Sequence, residues 1–173
     1  MNIKATIRTV PHWPINGVMF RDITTLLRDP AAFRATCDQF YERYKDMKLD
    51  KVVAIDARGF LFGAVLAYQL GVGIVPVRKK GKLPPETISQ EYELEYGSAV
   101  VEIGKDAIAR GERVLVMDDL IATGGTIYAA TKLVEQLGGE VVECAFIVEL
   151  PDLKGREKIK GYKVFALTEF EGE

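Results

Sequence analysis

One stretch of this chain limits its possible folds more than any other: Arg113-Val-Leu-Val-Met117, followed by Asp118-Asp119-Leu-Ile-Ala122-Thr123-Gly124-Gly125-Thr126. The nearly unbroken apolar run reads as a strand buried on both faces, as in a parallel sheet covered by helices. It ends on two adjacent acids and passes a short glycine-bearing turn. It then enters a segment where Ile127, Ala130, Val134 and Leu137 recur at helical spacing until Gly138-Gly139 stop it. The same alternation appears upstream. Lys51-Val-Val-Ala-Ile-Asp56 reads as a strand, Arg58 to Leu70 as a helix closed by Gly71, and Val72 to Val77 as a strand. Ahead of these, Asp29 and Pro30 are an N-cap and first helical position for a stripe of Phe33, Cys37, Phe40 and Tyr44 that runs to about residue 47. Val141 to Leu150 and Tyr162 to Leu167 supply two more strands. Strands alternating with helices imply an α/β fold with a mostly parallel central sheet flanked by helices.

No repeat, linker or low-complexity segment divides residues 1–173, so the chain reads as one domain. Two stretches break the alternation. Residues 1–28 carry Pro11, Pro14 and Gly17 and read as a cap outside the sheet. Residues 78–103 run from a basic, proline-containing segment into alternating Tyr92-Glu-Leu-Glu-Tyr96, a long loop or two-stranded arm. An excursion of that length suits closure over a ligand, with a plain surface hairpin as the alternative.

Composition removes several classes of function. Lys and Arg number 23 against 25 Asp and Glu, a net charge of -2 that argues against a nucleic-acid partner. No apolar run approaches the roughly 20 residues that cross a bilayer, which argues against a membrane partner. The opening residues lack the pattern of a secretory signal. Cys37 and Cys144 lie far apart without a CxxC pair and read as buried apolar side chains in a reducing compartment, so the expected location is cytoplasmic. His12 is the one histidine, which excludes histidine-rich zinc sites and reads as a loop residue.

Ligands of open α/β sheets bind beyond the carboxyl ends of the strands. There the free N–H groups of a turn and a helix N-terminus cradle a phosphate. Gly124 and Gly125 let the backbone approach the oxygens, and Thr123 and Thr126 add hydroxyl donors. The acids repel that phosphate and instead accept hydrogen bonds from neutral hydroxyls beside it. A phosphorylated sugar meets both demands. No lysine follows the glycines, as a Walker loop requires, and GxGxxG is absent. The plain alternative is an acid pair that only caps the next helix, although two adjacent acids exceed what a cap needs.

The thirteen residues from Val114 to Thr126 resemble the phosphoribosyl-diphosphate signature of the type I phosphoribosyltransferases. Three further segments narrow the resemblance to the adenine phosphoribosyltransferase family. They are Gly17-Val-Met-Phe-Arg-Asp22, Ala57-Arg-Gly-Phe-Leu-Phe-Gly63, and Val77-Arg-Lys-Lys-Gly-Lys-Leu-Pro84 together with Leu94-Glu-Tyr-Gly97. The similarity covers essentially the whole chain in the family's order.

The resemblance implies transfer of a 5-phosphoribosyl group from 5-phosphoribosyl diphosphate to N9 of adenine, giving AMP and diphosphate, with Mg²⁺ held mainly by substrate oxygens and water. It implies an N-terminal hood (residues 1–28) in which Phe20 stacks on adenine opposite Leu120, while the backbone around Met19 and Arg21 reads the base edge. Asp118 and Asp119 would hold the ribose, and Ala122, Thr123, Gly124, Gly125 and Thr126 the 5′-phosphate. Arg58, Arg78, Lys79, Lys82 and Tyr96 would serve the diphosphate, with Arg78 contributed across a homodimer interface. Glu95, on a flexible arm (residues 78–103), would manage the proton at N7. Without the resemblance, Phe20 reads equally as core, the Arg78–Lys82 run as a solvated loop, and Glu95 as an exposed side chain. Two other functions fit the signature: transfer to another purine base, and a non-catalytic regulator that senses the diphosphosugar.

Overall fold

A computed structural model describes residues 1–94 and 96–172. Along the chain come β1 (Arg8–Pro11), β2 (Met19–Asp22), α1 (Thr24–Leu27), α2 (Pro30–Tyr44), β3 (Lys51–Ile55), α3 (Arg58–Leu70) and β4 (Gly73–Lys79). Then follow β5 (Thr87–Glu93), β6 (Ser98–Gly104), β7 (Arg113–Met117), β8 (Leu120–Ile121), α4 (Gly125–Gln136), β9 (Glu140–Glu149), α5 (Gly155–Lys158) and β10 (Val164–Glu169). Among the described residues the large sheet is ordered β10-β9-β7-β3-β4-β6-β5. From β10 to β4 all neighbours are parallel; β6 runs antiparallel to both β4 and β5.

The apolar runs behave as strands buried on both faces must. Val114 and Val116 of β7, Cys144 and Phe146 of β9, and Val53 and Ile55 of β3 pack with Ile127 and Leu133 of α4. The alternate residues Leu115, Met117, Ala145, Ile147 and Val52 pack with Phe40 of α2 and Phe62 and Leu66 of α3. Helices α3 and α4 therefore cover opposite faces. This follows from topology: the crossover β3-α3-β4 and the crossover β7-α4-β9 leave two neighbouring strands in opposite directions, and right-handed crossovers then put their helices on opposite sides. The crevice of such a sheet opens between the carboxyl ends of β3 and β7.

Asp29 caps α2, accepting from the N–H groups of Ala31 and Ala32, as its place before Pro30 predicts. That helix stops at Tyr44 rather than near residue 47, because the N–H of Met47 turns back to the Tyr44 carbonyl and Lys48 takes a left-handed φ of 55°. The last strand begins at Val164, since Tyr162 is still bonded into a turn with Ile159. Strands β5 and β6 pair antiparallel, and β6 joins β4 through Arg78 and Lys79, so the two strands extend the sheet. The two-residue β8, which pairs with β9, is too short to show any period in sequence.

Strands β1 and β2 form a separate antiparallel ribbon. Its junction with α1 is fixed by Asp22. That carboxylate accepts from the Thr24 N–H at 2.9 Å, the Thr24 hydroxyl at 2.6 Å and the Arg8 guanidinium at 3.1 Å. The Thr24 hydroxyl and, after it, Arg8 act against burial to draw the Asp22 carboxyl down from 3.8 to about 2. A carboxyl depressed in the folded state stabilises the fold above its ordinary value and loses that contribution as pH falls. Acid titration followed by circular dichroism should therefore show stability lost between about pH 4 and pH 2, and Asp22→Asn should flatten that limb. An unchanged limb in the variant would assign the acid loss to other carboxyls.

Candidate active site

At the carboxyl end of β7 the chain is held from behind. The Asp118 N–H donates to the Ala145 carbonyl at 3.1 Å, and the Asp119 carbonyl accepts from Ile147 and Val148 at 3.0 and 2.9 Å. With the backbone so fixed, both acid side chains line a crevice of about 380 Å³, together with Asp56, Arg58, Lys79, Tyr92 and Thr126. Arg58, the first residue of α3, reaches across it and donates from Nε to Asp119 Oδ2 at 2.6 Å. Asp118 sits against the start of the same helix: a Cβ at Gly59 would stand 3.1 Å from Asp118 Oδ1 and from the Met117 carbonyl. Burial and then the neighbouring Asp119 charge push the Asp118 carboxyl well above the usual carboxylate range, against the opposing pull of Arg58.

Residues Ala122 to Thr126 curve into the N-terminus of α4 around an adjoining hollow of about 80 Å³, which also touches Asp118 and Leu120. Gly124 caps the helix with a left-handed φ of 89°. Behind it, Gly155 opens α5. A Cβ at Gly124 would come within 2.6 Å of the Gly155 carbonyl, and one at Gly155 within 2.5 Å of the Ala122 carbonyl. The turn is thus pressed from outside by a second backbone. A small anion-sized hollow lined by a helix N-terminus and two threonines can bind a phosphate.

The other residues singled out in sequence fall into two groups. Phe20, on β2, lies beside the crevice, with the Arg58 guanidinium 5.8 Å from its ring and the Trp13 ring edge-on at 4.7 Å. Met19 and Arg21 flank it on the same strand, and Leu120 is half-buried on β8. Arg78 sits near the end of β4 and donates to Asp56 Oδ2 at 2.9 Å and to the Lys82 carbonyl at 3.4 Å. Lys82 and Tyr96 line neither hollow, and Tyr96 is 88% exposed. Glu95 lies outside the described residues. His12 is a loop residue whose Nδ1 accepts the Gly17 N–H at 3.1 Å. A larger hollow of about 880 Å³ runs along β4 beside the loop at Leu83–Glu86 and contains none of these groups.

Sequence reasoning passed over three contributors. Tyr92 packs its ring 3.1 Å from the Cβ position of Gly125 and so closes the crevice from the β5 side. Its alternation with Leu94 and Tyr96 signalled a strand but not which helix it would meet. Asp56 was visible as a strand-end acid, yet its pairing with Arg78 depends on the β3–β4 register. Gly155 carried no local signal at all.

A family model described as the phosphoribosyl transferase domain matches residues 22–172. The chain is 69% identical to the adenine phosphoribosyltransferase of Desulfosudis oleivorans, over 100% of both chains. Its fold is similar to the crystal structure of adenine phosphoribosyltransferase from Thermoanaerobacter pseudethanolicus, with a TM-score of 0.94 and 54% identity over 97% of this chain and 98% of that one. It is also similar to the enzyme from Saccharomyces cerevisiae complexed with an imino-altritol bisphosphate and adenine, with a TM-score of 0.91 and 45% identity over 95% and 96%.

The Gly155 contact generates a stability test. Gly155→Ala should lower unfolding free energy by about 1–3 kcal/mol in urea titration, whereas Gly73→Ala, whose Cβ meets nothing closer than 3.8 Å, should stay within about 0.5 kcal/mol. Equal effects would mean that the turn is not pressed from behind.

Proposed function

The chain belongs to the phosphoribosyl transferase family, and we propose that its crevice moves the 5-phosphoribosyl group of 5-phosphoribosyl diphosphate onto N9 of adenine, releasing AMP and diphosphate. The observation that carries this reading is the acid pair standing directly beside an amide cradle. One half suits hydroxyls and the other a phosphate ester, and a phosphorylated pentose presents both.

In this reading the N–H groups of residues 122–126 and the hydroxyls of Thr123 and Thr126 hold the 5′-phosphate. Asp118 and Asp119 accept from the ribose hydroxyls. Arg58, now paired with Asp119 and half-exposed, exchanges partners when those hydroxyls arrive and turns its fork to the diphosphate. Departure of diphosphate leaves positive charge on the sugar beside two carboxylates, while the guanidinium takes the leaving charge. Lys79, which lines the crevice, completes the diphosphate side, and Lys82 and Tyr96, which lie outside it, join when the arm closes over the substrate. Magnesium fits the donor chemistry, because hard carboxylate oxygens beside substrate oxygens suit a cation that keeps several waters. When bound, it neutralises diphosphate charge.

Adenine lies between Phe20 and Leu120 against the backbone of Met19–Arg21. Among the described residues β2 has a strand neighbour, β1, on one edge only. Its other edge is therefore open to pair with the flat, uncharged base. Glu95 takes up the proton at N7 as N9 bonds to the sugar. Residues 1–28 serve as hood and 78–103 as the arm of one domain spanning 1–173.

We assign a homodimer on an apolar stripe of α3 and β4. Leu61, Ala64, Tyr68 and Ile74 are all exposed, Tyr68 to 87%. Helix α3 begins at Arg58, so a second copy docked there lies next to the crevice, and its basic loop supplies Arg78. A cytoplasmic location suits two buried, unbonded cysteines, Cys37 and Cys144, whose thiols burial pushes up to about 11 and about 12.

Purified protein given adenine, phosphoribosyl diphosphate and Mg²⁺ should release AMP and diphosphate and prefer adenine to hypoxanthine and guanine; no AMP would overturn the reading. Asp118→Asn with Asp119→Asn should cut kcat/KM by about a hundredfold or more while the protein stays folded. In mixed dimers, Arg78→Ala paired with an Asp119→Asn copy should regain activity at one intact site, and no regain would confine Arg78 to its own subunit.

A further inference from the structure

We infer that the segment after β10, Phe170–Glu171, positions the base-facing strand β2 through the side chain of Arg21. The inference rests on the assignment of Met19–Arg21 to base recognition.

Arg21 is a tie between two bodies. From the ribbon it donates to Thr9 Oγ1 on β1 at 2.7 Å. Toward the main body it donates to the Glu171 carbonyl at 3.0 Å, and its guanidinium carbon lies 4.7 Å from the centre of the Phe170 ring. The Lys4 ammonium, from the turn before β1, lies 4.9 Å from the same ring. Phe170 is only 9% exposed, and its N–H is fixed to the Glu149 carbonyl of β9 at 3.0 Å. Gly172 is fastened in turn to Asp152 at 2.7 Å. The post held by Arg21 is thus anchored on one side to the sheet and on the other to the turn that follows β9.

Such a tie needs a guanidinium. Its planar fork donates in two directions while its face rests on an aromatic ring, whereas an ammonium cannot make all three contacts together. A two-stranded ribbon is marginal by itself, so the tilt of β2 depends on its attachments. Asp22 fixes one end of the strand to α1. Arg21 adds a second attachment one residue earlier, at a position whose backbone faces the base. Two attachments set an orientation where one leaves a pivot. Phe170 touches no substrate in this account; it is a positioning residue.

Steady-state kinetics of the full chain test this with Phe170→Leu, Phe170→Tyr and Arg21→Lys. Phe170→Leu and Arg21→Lys should each raise the KM for adenine about fivefold while the KM for phosphoribosyl diphosphate stays within about twofold. Phe170→Tyr, which keeps the ring face, should restore a near-normal adenine KM. The double variant Arg21→Lys with Phe170→Leu should be little worse than either single change, because both cut the same tie. An unchanged adenine KM in both single variants, a parallel rise for both substrates, or fully additive effects would overturn the inference. Arg21→Lys keeps the test open should Phe170→Leu fold poorly. A wild-type chain that makes no AMP would remove the base-recognition assignment itself, a result distinct from an active wild type with indifferent variants.

Discussion

Two parallel neighbours, β3 and β7, send their connections in opposite directions, and every functional feature of this chain depends on that divergence. It leaves a gap at the carboxyl ends that no crossover covers. Into the gap come the two residues that follow β7, Asp118 and Asp119, and the first residue of α3, Arg58. The 2.6 Å contact between Arg58 and Asp119 spans it. Opposite charges from two βα units are thereby held beside each other without either belonging to the core.

The arrangement also explains the charge economy of the site. Both guanidiniums proposed for the diphosphate already sit on carboxylates, Arg58 on Asp119 and Arg78 on Asp56. In the proposed reaction Arg58 leaves Asp119 as the ribose hydroxyls arrive and Arg78 leaves Asp56 for the crevice of the other copy, and both arginine side chains retain enough exposure to move. Asp118 is the tense member. Its carboxyl is raised first by burial and then by the neighbouring Asp119 charge, against the pull of Arg58.

Much of this was legible before any coordinates. The runs Lys51–Asp56, Arg113–Met117 and Val141–Leu150 announce strands, the second apolar enough to be covered on both faces, and the Asp29-Pro30 pair announces the start of α2. The acid pair and glycine turn are also visible in sequence, and the structure brings them to adjoining hollows at the end of β7. What stayed hidden depends on contacts between distant residues. The pairing of β1 with β2, the joining of β6 to β4, and the pressure of Gly155 on Ala122 leave no periodic trace. The partner of Arg21, a ring almost at the far end of the chain, is of the same kind.

In the proposed reaction one pocket divides its work, carboxylates taking the pentose and backbone amides its phosphate. A crystal structure of the chain with AMP tests it most directly. The account predicts the phosphate within hydrogen-bond distance of N–H groups in residues 122–126, the ribose hydroxyls on Asp118 and Asp119, and the purine against Phe20. Nucleotide bound in the hollow beside β4, or seated with its phosphate on Arg58 and its sugar away from the acids, would contradict it.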